Sequence, residues 1–592
     1  MNSKRKKELV GEDNRPNDNR ISSLPDEVLE CVLIFLKSHK DRNAVSLVCK
    51  DWYHAERWSR THVFIGNCYS ISPEMVVRRF PNIRSLTLKG KPRFYDFNLV
   101  PPNWGADIHS WLVVFASAYP SLEELRLKRM TVTDDSLEFL ARAFHGFKSL
   151  SLVSCDGFST NGLASIAAYC RNLTELDIQE SGVDDLGGSW LSCFPDSFTS
   201  LESLNFANLH SEVNFDALER LVARCKSLEV LKVNKHVTLE QLRRLLIKAP
   251  QLTELGTGSF SQDLKLRSYT ELESAFSNCK DLHTVSGLWV VSSMYLPAIY
   301  PACSNLTFLN LSYVALLSTD LAKLLLNCPL LRRLWILDTV EDKGLEAVAS
   351  SCPMLEELRV FPADPFDQEA VLEGGGGGGV TESGFVSLSE GCRNLHYVLF
   401  FCRQMTNEAV ATVVRNCPNF THFRLCIMNM AQPDYLTNEP MDEAFGAVVK
   451  TCKRLRRLAV SGLLTDRAFE YIGAYAKNLE TLSVAFAGSS DRGMQYVLHG
   501  CPKLRKLEIR DSPFGNEALL SGIERYESMR SLWMSACNVT MSGCRVLARE
   551  MPRLNVEVIK EDGNDDVAAE KVYVYRSVAG PRSDAPHFVL TL

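Results

Sequence analysis

CPLLRRLWI (328–336) is followed 24 residues later by CPMLEELRV (352–360), and the same line returns as CRNLHYVLF (392–400), CPNFTHFRL (417–425), CKRLRRLAV (452–460) and CPKLRKLEI (501–509). Earlier copies are CRNLTELDI (170–178), CKSLEVLKV (225–233) and CSNLTFLNL (303–311), and related lines start at Phe80, Tyr119, Ala249, Cys279, Ala476, Tyr526 and Met551. Between 452 and 551 the anchors fall at 476, 501 and 526, so each step is 24 or 25 residues. A leucine ladder at this period is the pattern of leucine-rich repeats, in which each repeat is one strand and one helix that bury their apolar faces only by stacking on their neighbours. Within L-x-L the leucines point into the solenoid core, and the residue between them faces the concave side. Stretches such as GLEAVASSC (344–352) and AVATVVRNC (409–417) place apolar residues at helical intervals and put the cysteine at a helix end.

The expected fold is therefore α/β. It is a leucine-rich-repeat solenoid, horseshoe to near-ring, whose period implies about eighteen repeats between Phe80 and Ile559. Three places break the rhythm: KGKPRFYDFNLVPPNWG (89–105), the 40-residue step from Cys352 to Cys392 with EGGGGGGV (373–380), and the 35-residue step from Cys417 to Cys452 with NMAQPDYLTNEP (429–440). Extra residues in a solenoid become loops, often on its binding face. The glycine run lacks the G-K-[S/T] of a phosphate loop and reads as a flexible tether.

Composition narrows the function classes. Of 592 residues, 46% are hydrophobic and 23% charged, which excludes global disorder. The balance of 65 basic and 71 acidic residues, net −6, gives no global drive toward nucleic acid or an anionic membrane, so a polyanion site has to be a local patch. No apolar run is long enough for a transmembrane helix, and the leading MNSKRKKE has no signal-peptide core, so we expect an intracellular chain whose 19 cysteines are buried thiols. There is no C-x-x-C pair, H-E-x-x-H or G-x-S-x-G, hence no sequence support for zinc, metalloprotease or serine-hydrolase chemistry.

The opening residues form a different module. Residues 1–20 read as a disordered polar tail whose Lys4-Arg5-Lys6-Lys7 run is either a nuclear import signal or simply solvated. In SSLPDEVLECVLIFLKSHKDRNAVSLVCKDWYHAE (22–56), Leu24-Pro25 starts a helix striped by Val28, Leu29, Val32, Leu33 and Leu36, and Asp41 can cap a second. This is too short to fold alone, so a partner or the repeats must cover its apolar side. The pattern LPDEVLE…DRNAVSLVCKDWY resembles the F-box, which implies docking on a Skp1-type adaptor in a cullin-RING ligase through Leu24, Pro25, Val28, Leu29, Leu47, Val48 and Trp52. The expected division is a tail at 1–20, an all-α F-box at 21–62, the solenoid with its loops at 63–560 and a C-terminal cap at 561–592.

Strand parity sends Lys89, Lys128, Arg359, Arg424, Arg457 and Arg510 to the concave side; Arg129 follows Lys128, and Arg505, Lys506 and Arg530 open later strands. Cations converging inside a ring repel one another unless an anion sits between them or they pair with Asp and Glu. Multiply phosphorylated ligands suit such a set. In the same register lie Leu399, Phe401, Cys426, Ala459, Ser461, Ser483 and Ala485, with Phe94 and Phe97 in the early insert. An arginine beside such walls suits a small planar carboxylic acid.

The blocks LTLKGKPRFYDFNLVPPNWG, CRQMTNEAV, FRLCIM, SGLLTDRAFEYIG, LSVAFAGSSD, KLEIRDSPFG and RSLWMSAC resemble the plant auxin-receptor F-box family, the transport-inhibitor-response and auxin-signalling F-box proteins, from Ser22 to the end of the chain. That resemblance implies a non-catalytic, nuclear substrate receptor in which auxin and the degron of an Aux/IAA repressor bind together, leading to ubiquitination of the repressor, with inositol hexakisphosphate as a structural cofactor and no metal. Carried over by motif, Arg424 would hold the auxin carboxylate, and Ala459, Val460, Ser483, Ala485, Phe486, Phe94, Phe97, Leu399, Phe401 and Cys426 would line the pocket. Lys89, Lys128, Arg129, Arg359, His422, Arg424, Arg457, Arg505, Lys506 and Arg530 would contact the inositol phosphate. Asp96, Phe97, Pro362, Ala363, Asp364, Pro365, Phe366, Asp367, Cys426, Ile427, Met428, Asn429, Met430, Ala485 and Phe486 would meet the peptide, and Glu508 would support the pocket.

Three residues depart from the pattern: Arg93 replaces the histidine of KGKPHF, Ala459 the first serine of RRLSLSG, and His422 an arginine of RFRLC. The first two resemble the subgroup associated with picolinate-type auxins. The alternatives are a jasmonate-type receptor and a hormone-independent F-box and leucine-rich-repeat substrate receptor.

Overall fold

The computed structural model describes residues 26–91, 105–181, 183, 187–261, 269–364, 379–428, 433–551, 554–559, 573–575 and 589–591. The basic tail, Leu24, Pro25, Arg93, Phe94, Asp96, Phe97, Pro365, Phe366, Asp367, Asn429, Met430, most of the glycine run and most of 561–592 lie outside these residues.

Among the described residues nineteen strands form one sheet in which every strand pairs in parallel with the next in sequence, from His62–Ile65 to Asn555–Ile559. The repeat chemistry explains the regularity. Each strand buries its leucines, as Leu358 and Val360 or Leu482 and Val484 show, and leaves the alternate positions on the inner face. A helix follows, usually with Ser or Thr at its N-cap, as at Thr133, Ser159, Thr406, Thr465 and Ser490. The next residue is often an aspartate that reaches across to the following repeat. Asp134 accepts hydrogen bonds from Ser159 N (2.7 Å), Ser159 Oγ (2.6 Å) and Gly162 N (3.0 Å). A Cβ on Gly162 would stand 2.5 Å from that carboxylate, so the cap ladder requires glycine there.

The cysteines end the helices as their spacing predicts. They also carry a function in packing: Cys392 Sγ–H donates to Cys352 O (3.2 Å) and Cys417 Sγ–H to Cys392 O (3.4 Å), linking helix ends across repeats. Burial pushes the Cys352, Cys392, Cys452 and Cys501 thiols up to about 12, which leaves them inert as nucleophiles.

The ends of the array meet. Asn67 Nδ2, just after the first long strand, donates to Asn555 Oδ1 at 3.0 Å on the nineteenth, closing the solenoid into a ring. The nineteen strands exceed the sequence count by one because the strand at His62–Ile65 precedes the first recognisable ladder line.

The N-terminal module consists of α1 (Asp26–Ile34), α2 (His39–Val45) and α3 (Lys50–Ser59). Ser38, not Asp41, caps α2, accepting from Asp41 N at 3.3 Å. Leu29, Leu33 and Ala55 make a small core with Leu36, Val45 and Trp52 packed against it. A buried carboxylate fastens the module to the ring: Glu56 is fully buried and paired with Arg60, with Arg79 (3.0 Å) on the first repeat helix, and more loosely with Arg42 (4.0 Å). Arg57 adds a donation to Arg78 O at 2.8 Å. Among the described residues no helix is long and apolar enough to cross a membrane.

Candidate functional site

Strand register places the inner-face residues in rows around the ring. The middle row reads Trp335, Arg359, Leu399, Arg424, Ala459, Ser483, Glu508 and Trp533 on eight consecutive strands. Above it, at the strand exits, Phe401 pairs with Cys426, and Ser461, Ala485, Arg510 and Ser535 continue the row. Below it run Tyr397, His422, Arg457, Thr481 and Lys506. Residues scattered over a hundred positions of sequence thus stand side by side.

Arg424 is the centre of this wall. It is half-buried between Leu399 and Ala459, and its Nε is shielded from solvent without a hydrogen-bond partner among the described residues. A buried guanidinium nitrogen without an acceptor is costly, and a carboxylate or phosphate oxygen would satisfy it. The wall beyond is polar: Ser483 Oγ–H donates to Glu508 Oε2 at 2.6 Å, and Glu508 is buried. Phe486 leaves its strand at φ +56°, a left-handed conformation rare for an aromatic, with the Arg510 guanidinium 5.3 Å above its ring. Arg129, Ser154 and Glu180 turn out of their strands in the same way, and Asp511 and Ala536 take the same left-handed conformation within theirs.

Two residues expected at this site turn elsewhere. Val460 pairs in register with Val484, and both side chains lie in the solenoid core. Ile427 is likewise a core side chain, although its backbone N–H binds Ser461 Oγ at 2.9 Å. Cys426 is half-buried on the inner face, its thiol pushed up to about 11 by burial. Pro362, Ala363 and Asp364 lie at the exit of the strand Glu357–Phe361, and Ala363 and Asp364 are exposed.

The cations converge across the ring. Lys89 sits 4.9 Å from the Phe64 ring centroid, and burial together with Lys506, Arg129, Lys128 and Arg126 pushes its ammonium down to about 8. Lys89 and Lys506 belong to opposite ends of the sheet, so the closed ring brings them together. Arg126, in register with Thr87 and Ser151, was absent from the sequence expectations although its parity matches. Arg359 is already engaged: its Nε donates to Glu357 Oε1 at 2.7 Å, and its guanidinium lies between the rings of Trp335 (4.1 Å) and Tyr397 (4.7 Å). His422 stacks on Tyr397 at 4.8 Å, and burial with nearby Arg457 and His396 holds its pKa below the usual imidazole range. It is therefore neutral at pH 7 and adds no fixed charge.

On the N-terminal module, Val28, Val32, Ile34, Phe35, Leu47 and Val48 are exposed, Phe35 and Leu47 above 80%. They form the open apolar surface of α1 and the segment after α2. Leu29 is 3% exposed and belongs to the module's own core rather than to this surface, and Trp52 packs against that core. Val32, Ile34 and Phe35 extend the surface beyond the expected set. Among the described residues no cluster of His, Cys, Asp or Glu could hold a metal ion.

Residues 81–127 match the transport inhibitor response 1 protein domain, residues 21–62 an F-box and residues 169–192 a leucine-rich repeat. GRR1-like protein 1 of Arabidopsis thaliana is 54% identical over 572 residues, covering 96% of this chain and 97% of the relative. The chain belongs to the transport inhibitor response 1-like family of F-box proteins. A transport inhibitor response 1-like protein of Oryza sativa subsp. japonica is 52% identical, covering 95% of this chain and 96% of the relative. Coronatine-insensitive protein 1 of Arabidopsis thaliana is 32% identical, with 96% of each chain covered. Members of this F-box and leucine-rich-repeat family are substrate adaptors, generally non-catalytic, and an F-box implies docking on a Skp1-type adaptor of a cullin ligase.

Proposed function

We propose that this protein is an auxin receptor in which the hormone and the degron of an Aux/IAA repressor bind jointly above Arg424, so that the ligase ubiquitinates the repressor for degradation. The observation that carries this reading is Arg424 Nε, buried in the middle of the inner wall and without a hydrogen-bond partner among the described residues. Its guanidinium would take the hormone carboxylate in bidentate fashion, and Leu399, Phe401, Cys426 and Ala459 would cover the ring. The Ser483–Glu508 pair supplies the far polar edge. The exit row around Ala485 and Phe486, with Pro362–Asp364 and Met428, offers the peptide a rim on which hormone and protein form one surface. The exposed residues Val28, Val32, Phe35, Leu47 and Val48 would take the adaptor.

Inositol hexakisphosphate is proposed as the structural cofactor. The fit rests on Lys89: an ammonium crowded by four cations is relieved by a bound polyanion. Lys128, Arg129, Arg457, Arg505, Lys506 and Arg530 would share its phosphates; Arg359 would have to exchange Glu357 for them, and His422 would add charge only when protonated. The bound polyanion would supply fixed negative charge beneath the hormone and hold the inner wall in shape. Nuclear residence accords with a repressor client and with the Lys4–Lys7 run.

The jasmonate alternative is disfavoured by identities of 32–33% to coronatine-insensitive proteins against 51–54% to the transport-inhibitor-response-like group. The relatives in that nearer group are almost equally similar, so the picolinate-type preference rests on Arg93 and Ala459 alone. The deciding experiment is capture of a repressor-degron peptide by the purified protein with its adaptor. Indole-3-acetic acid should strengthen capture, jasmonoyl-isoleucine should not, and Arg424→Ala should abolish the hormone-dependent part. Capture that ignores every small molecule would support the hormone-independent reading instead.

A further inference from the structure

A basic hollow opens at the strand entrances and adjoins the inner wall at His422. This underside cavity of about 580 Å³ is bounded by four cations, Lys453, Arg454, Arg456 and Lys503, and by His396 and His422, against the single carboxylate of Glu480. The register of the repeats builds it. Arg454, Asn478 and Lys503 occupy the same place in three consecutive repeats, just before the buried leucine. Asn478 ties them, donating from Nδ2 to Lys453 O (3.0 Å) and accepting from Lys503 Nζ (2.6 Å). Thr421, Arg456 and Glu480 form the second row, linked by backbone hydrogen bonds of 2.8 and 2.7 Å.

What sets this hollow apart is the state of its charges. At comparable strand entrances elsewhere, cations are matched: Arg84 and Lys148 both pair with Glu123, and Arg332 pairs with Glu356. Here neither Arg454 nor Arg456 has a salt bridge or side-chain hydrogen bond among the described residues, although Glu480 borders the same space. Among the described residues the Lys453 ammonium meets the Tyr475 ring, at 5.4 Å. The local field is strong enough to act on a neighbour, since Arg457, His396 and Arg456 help hold His422 neutral. Four cations facing one carboxylate in a protein of net charge −6 is an arrangement that an anion stabilises.

We propose that this hollow is a second anion site, selective for a compact, multiply charged phosphate ester or polyphosphate. Two guanidinium forks and two ammonium groups around a volume of this size match clustered phosphate oxygens. The site stands independently of the hormone reading. His422 forms the partition between it and the inner wall, while Lys453, Arg454 and Lys503 belong to the underside alone.

Calorimetric titration of the full chain with its adaptor tests this, using inositol hexakisphosphate and inorganic pyrophosphate as probes. The expected result is a binding event that Arg454→Gln combined with Lys503→Gln weakens by about tenfold or more, the scale of a lost charge-assisted hydrogen bond. Both side chains are exposed, so melting temperature without probe should not change. Lys128→Gln with Arg505→Gln should leave that event intact and weaken only an event at the inner wall. Titrations indistinguishable between the wild type and the Arg454→Gln/Lys503→Gln protein would overturn the proposal. So would competition by poly-glutamate without any binding of pyrophosphate, which would assign the hollow to an acidic peptide. A wild-type titration with the underside event but no inner-wall event would count against the cofactor reading and uphold the underside site.

Discussion

Ser483 and Glu508 face one another on adjacent parallel strands, with the serine hydroxyl 2.6 Å from the glutamate oxygen. The pair orients a buried carboxylate at the edge of the space above Arg424. Ser483→Ala removes one donor from Glu508 and should cost about 1 kcal/mol of stability, with hormone-dependent peptide capture falling by more than stability explains. Glu508→Leu should lower capture further, whereas Glu508→Gln, which keeps an acceptor, should fall between. Thermal melts alongside the capture assay separate the two contributions.

Ala459 lies next to Arg424 in register and is 7% exposed. Adding a hydroxyl there with Ala459→Ser narrows the wall and offers a hydrogen bond to a ligand ring NH or hydroxyl, worth on the order of 1 kcal/mol. The ratio of degron affinities with indole-3-acetic acid and with picloram should shift toward the former. An unchanged ratio rejects a role for Ala459 in hormone choice.

The crowding of Lys89 gives a pH signature. Its pKa in the folded protein is about 8, below the ordinary 10.5, so the unfolded chain binds more protons between these values. Lys89 alone therefore makes stability rise as pH increases from about 8 toward 10.5, and its repulsive burden is fully present below pH 8. Binding of a polyanion has the opposite slope, because it needs the charged ammonium. Inositol hexakisphosphate affinity, measured by calorimetry, should fall between pH 7 and 9, and Lys89→Arg should flatten that fall.

Glu56 has three arginines around it and no exposure to solvent. Glu56→Gln leaves the buried Arg60 and the half-buried Arg79 against a neutral amide, and breaking a buried ion pair in this way costs about 3–5 kcal/mol. We expect a lower melting temperature and weakened adaptor binding, since the module loses its attachment to the first repeat. Pull-down of the adaptor and differential scanning calorimetry read the two effects.

The solenoid was legible because its signal repeats. One ladder line is ambiguous, but nine with the same cysteine establish period, strand parity and helix end together, and the inner-face positions of Arg424, Ser483 and Lys506 follow. Val460 and Ile427 show the cost of setting parity aside. Their places in LAVSG and LCIM already mark them as core positions, and the motif resemblance alone had placed them in the site. Other features leave no periodic trace. Lys91 is buried against Asp156, 2.5 Å away and 65 residues on, and Glu56 meets Arg79 across 23 residues. Such pairs become visible only once the fold brings them together. The short helices α1 and α2 likewise do not reveal which of Val28 and Leu29 faces outward, because either fits the same stripe.

Asn67 and Asn555 clasp the first and last turns of the array. Open solenoids gain or shed units in evolution with little penalty, because each touches only its neighbours. Here the circumference is a shared dimension. Deleting one unit would leave the clasp unable to meet and would carry Lys506 away from Lys89, dismantling a charge cluster neither deleted nor mutated. The number of turns is thus a fixed dimension of the binding chamber, and insertions should be tolerated only in the three inserts.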